Sequence, residues 1–512
     1  MHKRRLTTVA VVAAAAITVV GCTQGAAPEA EPEVAELKTI EMMAPYFSEA
    51  PPEDDGAIEL ALEELTGVKI EMTWVPNAAY GEKTNTTLAS DDVPHVMVIQ
   101  GKTQSFVQTA EAGGFWDLTD ILGDYPNLTT SNPEVQHASS VNGVVYGIYR
   151  ARDVIRASVI IRQDWLDNLG LELPETTDDL YDIAQAFTED DPDGNGVDDT
   201  TGIIVPKWPV AAIGTNSPWD AIEIWHGAGN VWTEEDGELI PSFTTDEWME
   251  ALKFERDLVA NGYVNRDFAT MDSATWNEPF LNGRGGIIID VQSRAPQLAD
   301  LFEATYPDDW EKYVWLAGNL TGPDGEDFAM PTAGYSGMLS ISKAQVPTEA
   351  ELRAVLEFLN TLNSPEAQVL MNNGIEDDNF VVEDGFAVFD PDKKPLTDTA
   401  TAAWAQLGTN VNEYSAYLPK PNTDYDKELL EYRLELQAKD LENAVYNPAA
   451  AFVSPTYLSA GTQLDNIIGD ARIQFIAGQI DEAGVEAAIE LWRSTGGDAV
   501  TEEINELYKA SK

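Results

Sequence analysis

Apolar and polar positions alternate along Leu37 to Met43 and predict a first strand, with a loop at Pro45-Tyr46-Phe47-Ser48. Ile58, Leu62 and Leu65 then recur at helical spacing, and Gly67 closes that helix. Val68 to Trp74 alternates as a second strand, a helix is predicted from about Tyr80 to Ala89, and His95 to Ile99 reads as a short buried strand. Strand, helix, strand, helix, strand is the rhythm of an open parallel sheet. Ligands bind such sheets at the carboxyl ends of the strands, which places Tyr46 and Gln100 at a candidate site.

Further along, Val144–Tyr149, Ser158–Ile161, Gly285–Val291 and Leu339–Ser342 are predicted strands. Trp165–Leu169, Asp178–Phe187 and Thr245–Gly262 are predicted helices. Leu352, Val355, Leu356, Leu359 and Leu362 form a helical core stripe that Asn363 stops. Ser364-Pro365 then supplies an N-cap and a first helical residue. The C-terminal third is mostly helical, from Asp426 to Asn443 and from Val485 to Tyr508. The sequence shows no internal repeat.

The N-terminus changes the picture from fold to location. His2, Lys3, Arg4 and Arg5 precede a small, apolar run from Leu6 to Val20. That run is shorter than the ~20 residues a spanning helix needs, and it has signal-peptide flanks. It ends in Val19-Val20-Gly21-Cys22, the pattern of a lipobox, so residues 1–21 are expected to be a signal peptide and Cys22 the lipidated residue. Cys22 is the only cysteine, which excludes a disulfide, a thiolate metal cluster or another cysteine nucleophile in the chain. Residues 22–36, rich in Ala, Pro and Glu, lack the apolar side chains of a core and read as a tether. No later segment carries eighteen consecutive apolar residues. The protein is expected at the cell surface, held on the outer face of the plasma membrane.

The rest of the chain is longer than the ~250–300 residues that usually share one core, so two domains are the default. Its charge is extreme: 88 Asp plus Glu against 30 Lys plus Arg, or −58. Such a surface repels nucleic acid and anionic headgroups and favours solubility.

One loop carries metal chemistry. Asp191-Pro192-Asp193-Gly194-Asn195-Gly196 follows the opening D-x-[DN]-x-[DN]-G of a calcium loop. Side chains of Asp191, Asp193 and Asn195 can point inward, Gly196 permits the sharp turn, the Val197 carbonyl follows, and Asp199 adds a carboxylate. The twelfth position, a Glu in EF-hands, is Gly202. The competing reading is an acidic surface turn in a very acidic protein.

Enzyme motifs are missing. The histidines are His2, His95, His137 and His226, with no HExxH, no G-x-S-x-G elbow and no Walker A loop. Gly194 and Gly196 sit between acids that repel phosphate. Counting alone does not exclude a glycosidase pair among so many carboxylates.

Several ordered segments resemble family 1 extracellular solute-binding proteins, in particular the long lipoprotein branch that includes alginate-oligosaccharide-binding proteins. Gly114-Phe115-Trp116-Asp117-Leu118-Thr119 is similar to that branch's G-x-F-x-D-L stretch, one residue tighter. Asn142 to Ile148 (NGVVYGI) resembles its D/N-G-x-x-Y-G-I-P strand, with Tyr149 where proline is usual. Arg162 to Gly170 (RQDWLDNLG) is close to R-x-D-W-L-x-x-L-G, and Pro174, Thr176 and Asp179-Leu180 continue it. Gly322-Pro323-Asp324-Gly325, Gly334-Tyr335-Ser336-Gly337 and Asn373-Gly374-Ile375-Glu376 match further pieces in order.

The resemblance implies an α/β, two-lobed fold of the type II periplasmic-binding class with a helical C-terminal region. Lobe one would be 37–153 with 336–375, and lobe two 154–335 with 376–512. It implies capture of an oligosaccharide and its delivery to the permease subunits of an ABC importer, and no enzymatic activity. In that branch an equivalent calcium loop uses acids at the ninth and tenth positions; here the tenth is Thr200. The expected role of the ion is structural. Sugar rings stack on aromatic faces, which makes Tyr46, Tyr149, Trp208, Trp219, Trp276, Trp315, Tyr335 and Trp404 candidates, Trp276 and Trp404 by resemblance to family positions. Core packing is the alternative for each, and it is the reading for Trp165 and Trp248. Candidate polar partners are Gln100, Lys102, Arg150, Asn216, Asp290 and Arg294. The net charge favours a neutral or weakly charged sugar, an argument that a local cluster such as Lys102, Arg150 and Arg294 reverses. Alternatives are a peptide or another small solute, a surface glycoside-degrading enzyme, and an adhesion or sensor protein.

Overall fold

A computed structural model of the chain describes residues 35–90, 92–208 and 213–512. The signal segment, Cys22 and nearly all of the tether lie outside the described residues. The strands of the first half are β1 (Thr39–Tyr46), β2 (Lys69–Pro76), β3 (Val96–Ile99), β4 (Ile148–Ala151), β5 (Ala157–Arg162) and β6 (Thr201–Ile203). Next come β7 (Trp232–Glu235), β8 (Glu238–Pro241), β9 (Gly285–Val291) and β10 (Val314–Ala317). Last are β11 (Tyr335–Ile341), β12 (Phe380–Glu383) and β13 (Phe386–Phe389).

Two sheets organise two lobes. The first has the order β2-β1-β3-β11-β4, the second β10-β5-β9-β6. β1 runs parallel to β2 and β3, while β11 returns antiparallel between β3 and β4. The chain thus leaves the first sheet after β4, builds the second, and comes back as β11. Main-chain pairing holds the passages together: Ile155 bridges Pro331 and Ala329 bridges Ala444.

Sheet two is buried on both faces. Val159 and Ile161 of β5 enter one core while Ile160 enters the other, as the two-residue period of a strand requires. Helices cover both faces, so β5 is buried at every position from Ala157 to Arg162. Sheet one packs Met42, Met43, Val96 to Ile99 and Leu339 with the stripe from Leu352 to Leu362. The helix carrying that stripe, Glu349–Leu362, starts with a capping box at Thr348 and Glu351.

Several boundaries differ from the sequence expectation. Of the predicted strand Val144–Tyr149, Val144 makes only an isolated bridge to Val141, and strand pairing starts at Ile148. A Cβ on Gly147 would lie 2.8 Å from the Leu339 carbonyl oxygen, so only glycine lets the chain approach β11 there. The predicted C-terminal helix Val485–Tyr508 is two helices, Glu482–Trp492 and Asp498–Ser511, broken at Gly496 with φ 146. Trp404, Leu407 and Val411 pack into the core of lobe one, although the expectation grouped 376–512 with lobe two. The reason is a bond network: the Ala151 amide donates to the Thr409 carbonyl, laying this segment along the outer edge of β4.

Candidate ligand cleft

The topology decides where a ligand meets the molecule. β1 and β3 end at Tyr46 and Ile99, with Gln100 just beyond, and β11, antiparallel to β3, begins on that same edge at Tyr335. In sheet two, β6 and the parallel β9 end at Ile203 and Val291. The edge where β9 ends is also where β5 begins, next to the passage from lobe one. The carboxyl ends of both sheets therefore face the passages, the position open α/β sheets use for ligands.

Among the described residues a cavity of about 400 Å³ opens here, lined by His137, Asn216, Asn230, Tyr335 and Tyr446. Lys102 lies next to it, in the wall of a neighbouring cavity. Its ammonium donates to the carbonyls of Ala138 and Ala450, each at 2.6 Å, and burial pushes its pKa down to about 7. Tyr335 donates to the same Ala138 carbonyl at 3.3 Å, and Asn216 to the Pro331 carbonyl at 3.0 Å. That neighbouring cavity of about 450 Å³ lies under the C-terminal helices and is mainly apolar, lined by Trp232, Phe243, Phe452 and Trp492. Lys102, Asn447, Ser454 and Asp465 add polar groups to that wall.

On the lobe-two edge four of the sequence candidates meet. Trp208 is half-buried just beyond β6, its ring edge-on to Trp276 at 5.9 Å. The guanidinium of Arg294 lies 4.2 Å from the centre of the Trp276 ring and donates to Asp290 at 2.5 Å and Asn277 at 2.7 Å. On the opposing edge Tyr46 is half-buried and Gln100 is exposed, its amide donating to Asn77 at 2.7 Å. Asn77, His137, Asn230 and Tyr446 were not singled out from the sequence. No motif marks them; the fold brings His137, Asn230 and Tyr446 to one cavity and sets Asn77 against Gln100.

Other aromatic candidates are packing residues. Trp219 is 2% exposed in the core of lobe two, edge-on to Phe268. Trp404 is 1% exposed, edge-on to Trp74 at 5.3 Å. Trp276 is 2% exposed, and its indole N–H is spent on the Ile204 carbonyl at 3.0 Å. Tyr149 is buried with its hydroxyl against Thr130, and Trp315 stacks on Tyr432 at 5.5 Å. In each case a neighbouring ring or carbonyl takes the surface a sugar would need. Trp165 and Trp248, expected in the core, are buried there.

The acidic loop is preformed in outline. Asp191 sits at φ 48 and its carboxylate accepts from the Asn195 and Gly196 amides at 3.0 and 2.9 Å. The Asn195 side-chain amide donates to Asp193 at 2.7 Å and Asp199 at 3.3 Å, so an N–H group stands between two carboxylates. Arg284 pairs with Asp199 at 2.7 Å, Val197 is exposed, and Thr200 is buried. As arranged, no group of three His, Cys, Asp or Glu side chains among the described residues is positioned to hold a metal.

Two lobes with separate cores, passages between them and a cleft at the strand ends define a two-lobed solute-binding protein. The pattern of the family described as bacterial extracellular solute-binding protein matches residues 50–369, and the chain belongs to that family. It is 45% identical over 476 residues to lipoprotein LipO of Bacillus subtilis, covering 93% of each chain. It is 31% identical to the polygalacturonan/rhamnogalacturonan-binding protein YtcQ of the same organism, covering 92% of this chain and 91% of that one. An extracellular solute-binding protein from Bifidobacterium longum subsp. infantis shares the fold at a TM-score of 0.70 and 20% identity, over 92% of this chain and 98% of that one. An EF-hand mutant of the substrate-binding protein FusA of Streptococcus pneumoniae, solved with fructo-nystose, does so at 0.59 and 20%, over 93% and 100%. YtcQ, the Bifidobacterium protein and FusA are each named as binding proteins. No helix among the described residues is long and apolar enough to cross a membrane.

Proposed function

We propose that this chain captures an oligosaccharide outside the cell and delivers it to the permease subunits of an ABC importer, while a lipid on Cys22 holds it on the outer face of the plasma membrane. The observation that carries the reading is the cleft itself. The half-buried Trp208, with Asp290 and Arg294, stands at the strand ends of lobe two, and Tyr46, Asn77 and Gln100 stand at the strand ends of lobe one. A ring face beside amides and a carboxylate is the chemistry of sugar recognition. YtcQ is named for acidic polysaccharides and FusA is solved with a fructan, so the relatives favour carbohydrate over peptide. We assign 37–153 with 336–375 to lobe one, now with the segment around Trp404 to Val411, and the remainder from 154 to lobe two. Ligand would draw the lobes together about the passages.

The same reading gives the acidic loop a Ca²⁺ ion. Hard oxygen donors suit it, and the carboxylates of Asp191, Asp193 and Asp199 each accept a hydrogen bond from Asn195. Turning the Asn195 amide over would place its oxygen where the N–H now stands, and the Val197 carbonyl and Thr200 hydroxyl would complete the set. The ion would stiffen the loop beside the Arg284 pair and take no part in chemistry.

Titration calorimetry of the protein without its signal segment against neutral and acidic oligosaccharides tests the main reading. An oligosaccharide should bind, and Trp208→Ala should weaken it several-fold, since one aromatic stack contributes on the order of 1 kcal/mol. Binding of peptides alone, or turnover of the sugar, would overturn it.

A further inference from the structure

Residues 152–156 and 331–334 carry the chain between the sheets, and these two passages bond to each other. The Arg152 amide donates to the Gly334 carbonyl at 2.9 Å and the Thr332 amide to the Val154 carbonyl at 2.7 Å. Residues 444–454 have no such duty. The helix before them, Asp424–Leu441, packs on lobe two through Leu429 and Leu436. The helix after them, Pro455–Ile476, packs there too, through Leu464, Ile468 and Phe475. Connectivity would let this segment stay on lobe two. It reaches lobe one instead and then returns.

Hydrogen bonds hold the segment to both lobes. On lobe two the Val445 amide donates to the Ala329 carbonyl at 3.0 Å, and the Asn230 side chain donates to the Val445 carbonyl at 2.9 Å. Ala449, Ala451 and Phe452 are buried in the core of that lobe. On lobe one Asn142 meets the segment at two points. Its amide donates to the Ala451 carbonyl at 2.9 Å, and its side-chain oxygen accepts from the Val453 amide at 2.9 Å. Lys102 adds its bond to the Ala450 carbonyl at 2.6 Å. Tyr446 and Val453 pack against the core of lobe one. A tight turn presents Asn142 for this. Val141 and Val144 exchange two bonds of 3.0 Å, and Asn142-Gly143 between them has φ 53 and 86. The turn's own bonds use Val141 and Val144, so the Asn142 amide is left to donate outward. Glu111 accepts from the Asn142 side-chain N–H at 3.2 Å, which turns the oxygen to Val453.

We infer that residues 444–454 are a strap that restricts how the lobes turn on one another, with Asn142 and Lys102 as the positioning residues that hold it. The paired passages alone are a narrow ribbon that bends and twists. A second attachment beside them stops the twist and leaves opening about the line through both. Apolar side chains seated on each lobe keep this edge shut, since parting it exposes them to water. A binding protein confined to one axis loses less freedom when a ligand closes it. The strap therefore strengthens capture, and Asn142, with both ends of its side chain bonded inside the protein, acts without touching ligand. The inference goes beyond the sugar reading, because it holds for whatever the cleft takes.

Spin labels on Glu64→Cys and Glu303→Cys, exposed on lobes one and two, test this by pulsed electron resonance in a Cys22→Ser chain without its signal segment. Cys22 is the only natural cysteine, so the labels report those two sites alone. Asn142→Gly accepts φ 53 and loses the bond to Val453, and Lys102→Met loses the bond to Ala450. Each variant should broaden the distribution of distances between the labels in the free protein, with a melting temperature near that of the parent. Each should also weaken a galacturonate oligosaccharide or a neutral fructan, whichever binds the parent, about threefold or more. Saturating sugar should restore one narrow distribution. Unchanged distances in both variants overturn the inference, and so does a broadened distribution with full affinity. Weaker affinity with unchanged distances makes Asn142 a ligand contact and overturns it as well. If neither sugar binds the parent, the oligosaccharide reading fails, and the distances in the free protein still decide the strap.

Discussion

Arg472 shows how single residues set the stability of lobe two. It is 2% exposed and donates to Asp220 at 2.7 Å and to Glu223 at 3.2 and 3.3 Å. Burial works against its charge, but Glu223 and Asp220 outweigh burial and hold it firmly protonated. Glu255 completes the group without a hydrogen-bond partner on either carboxyl oxygen. Burial, then the charge of Glu223, push its pKa well above the usual 4.5. The folded state therefore keeps a proton on Glu255 that the unfolded chain releases above about pH 4.5. The resulting stability is full below that pH and is lost as pH rises toward the folded pKa. Glu255→Gln should accordingly flatten this part of the profile, with its melting temperature gaining on the parent as pH rises. Parallel thermal melts across pH read this directly, and an unchanged gap would show that Glu255 is ionised in the fold. Arg472→Met should instead destabilise by roughly 3–5 kcal/mol, because it strands buried carboxylates.

At the scale of elements, local signals were legible and distant ones were not. Thr245 and Ser364 cap the helices they were expected to start, because an N-cap acts within three residues. Two hairpins escaped the periodicity reading although each carries its signal. β7–β8 turns at Asp236-Gly237 with φ 52 and 87, and β12–β13 at Asp384-Gly385 with φ 54 and 85. Both are Asp-Gly pairs in the doubly left-handed turn that hairpins favour. The aromatic candidates show the opposite limit. Nothing within a few residues of Trp404 indicates that Trp74, from β2, will meet it, so a core ring and a sugar-stacking ring look alike in sequence. The acidic loop was read from its spacing alone, and the structure brings Asp191, Asp193 and Asp199 around one asparagine. Calcium that binds only the folded loop should raise the melting temperature, by about 2.7 kcal/mol of stability at a hundredfold excess over Kd. Asp191→Ala and Asp193→Ala should each abolish that response. Identical melts in calcium and in chelator would return the loop to an acidic surface turn.

For the whole molecule, the sequence pattern indicated α/β lobes, while the return of β11 between β3 and β4 was reachable only through family resemblance. Periodicity carries no record of which strand sits beside which. That topology also fixes how the molecule would stand on a membrane. The described chain begins beside lobe one, where the Ala35 amide donates to the Ala350 carbonyl at 3.2 Å at the start of the helix Glu349–Leu362. It then enters β1 at Thr39, and the cleft lies at the other end of that strand, by Tyr46. Eight residues of strand at ~3.3 Å each separate the entry from the cleft by roughly 25 Å. The proposed attachment through Cys22 would pull on the start of β1, away from the strand ends, and would leave the cleft and the passages free to close on ligand. Anchoring and binding should be separable. Cys22→Ser should move the protein from the membrane fraction to the medium, remove the acyl mass from the intact protein and abolish uptake of the sugar. Its affinity for that sugar should stay within about twofold of the parent, as expected for sites without shared contacts. Retention of the variant on the membrane would show that another feature holds the protein there, and a large loss of affinity would show that the anchor and the cleft are coupled.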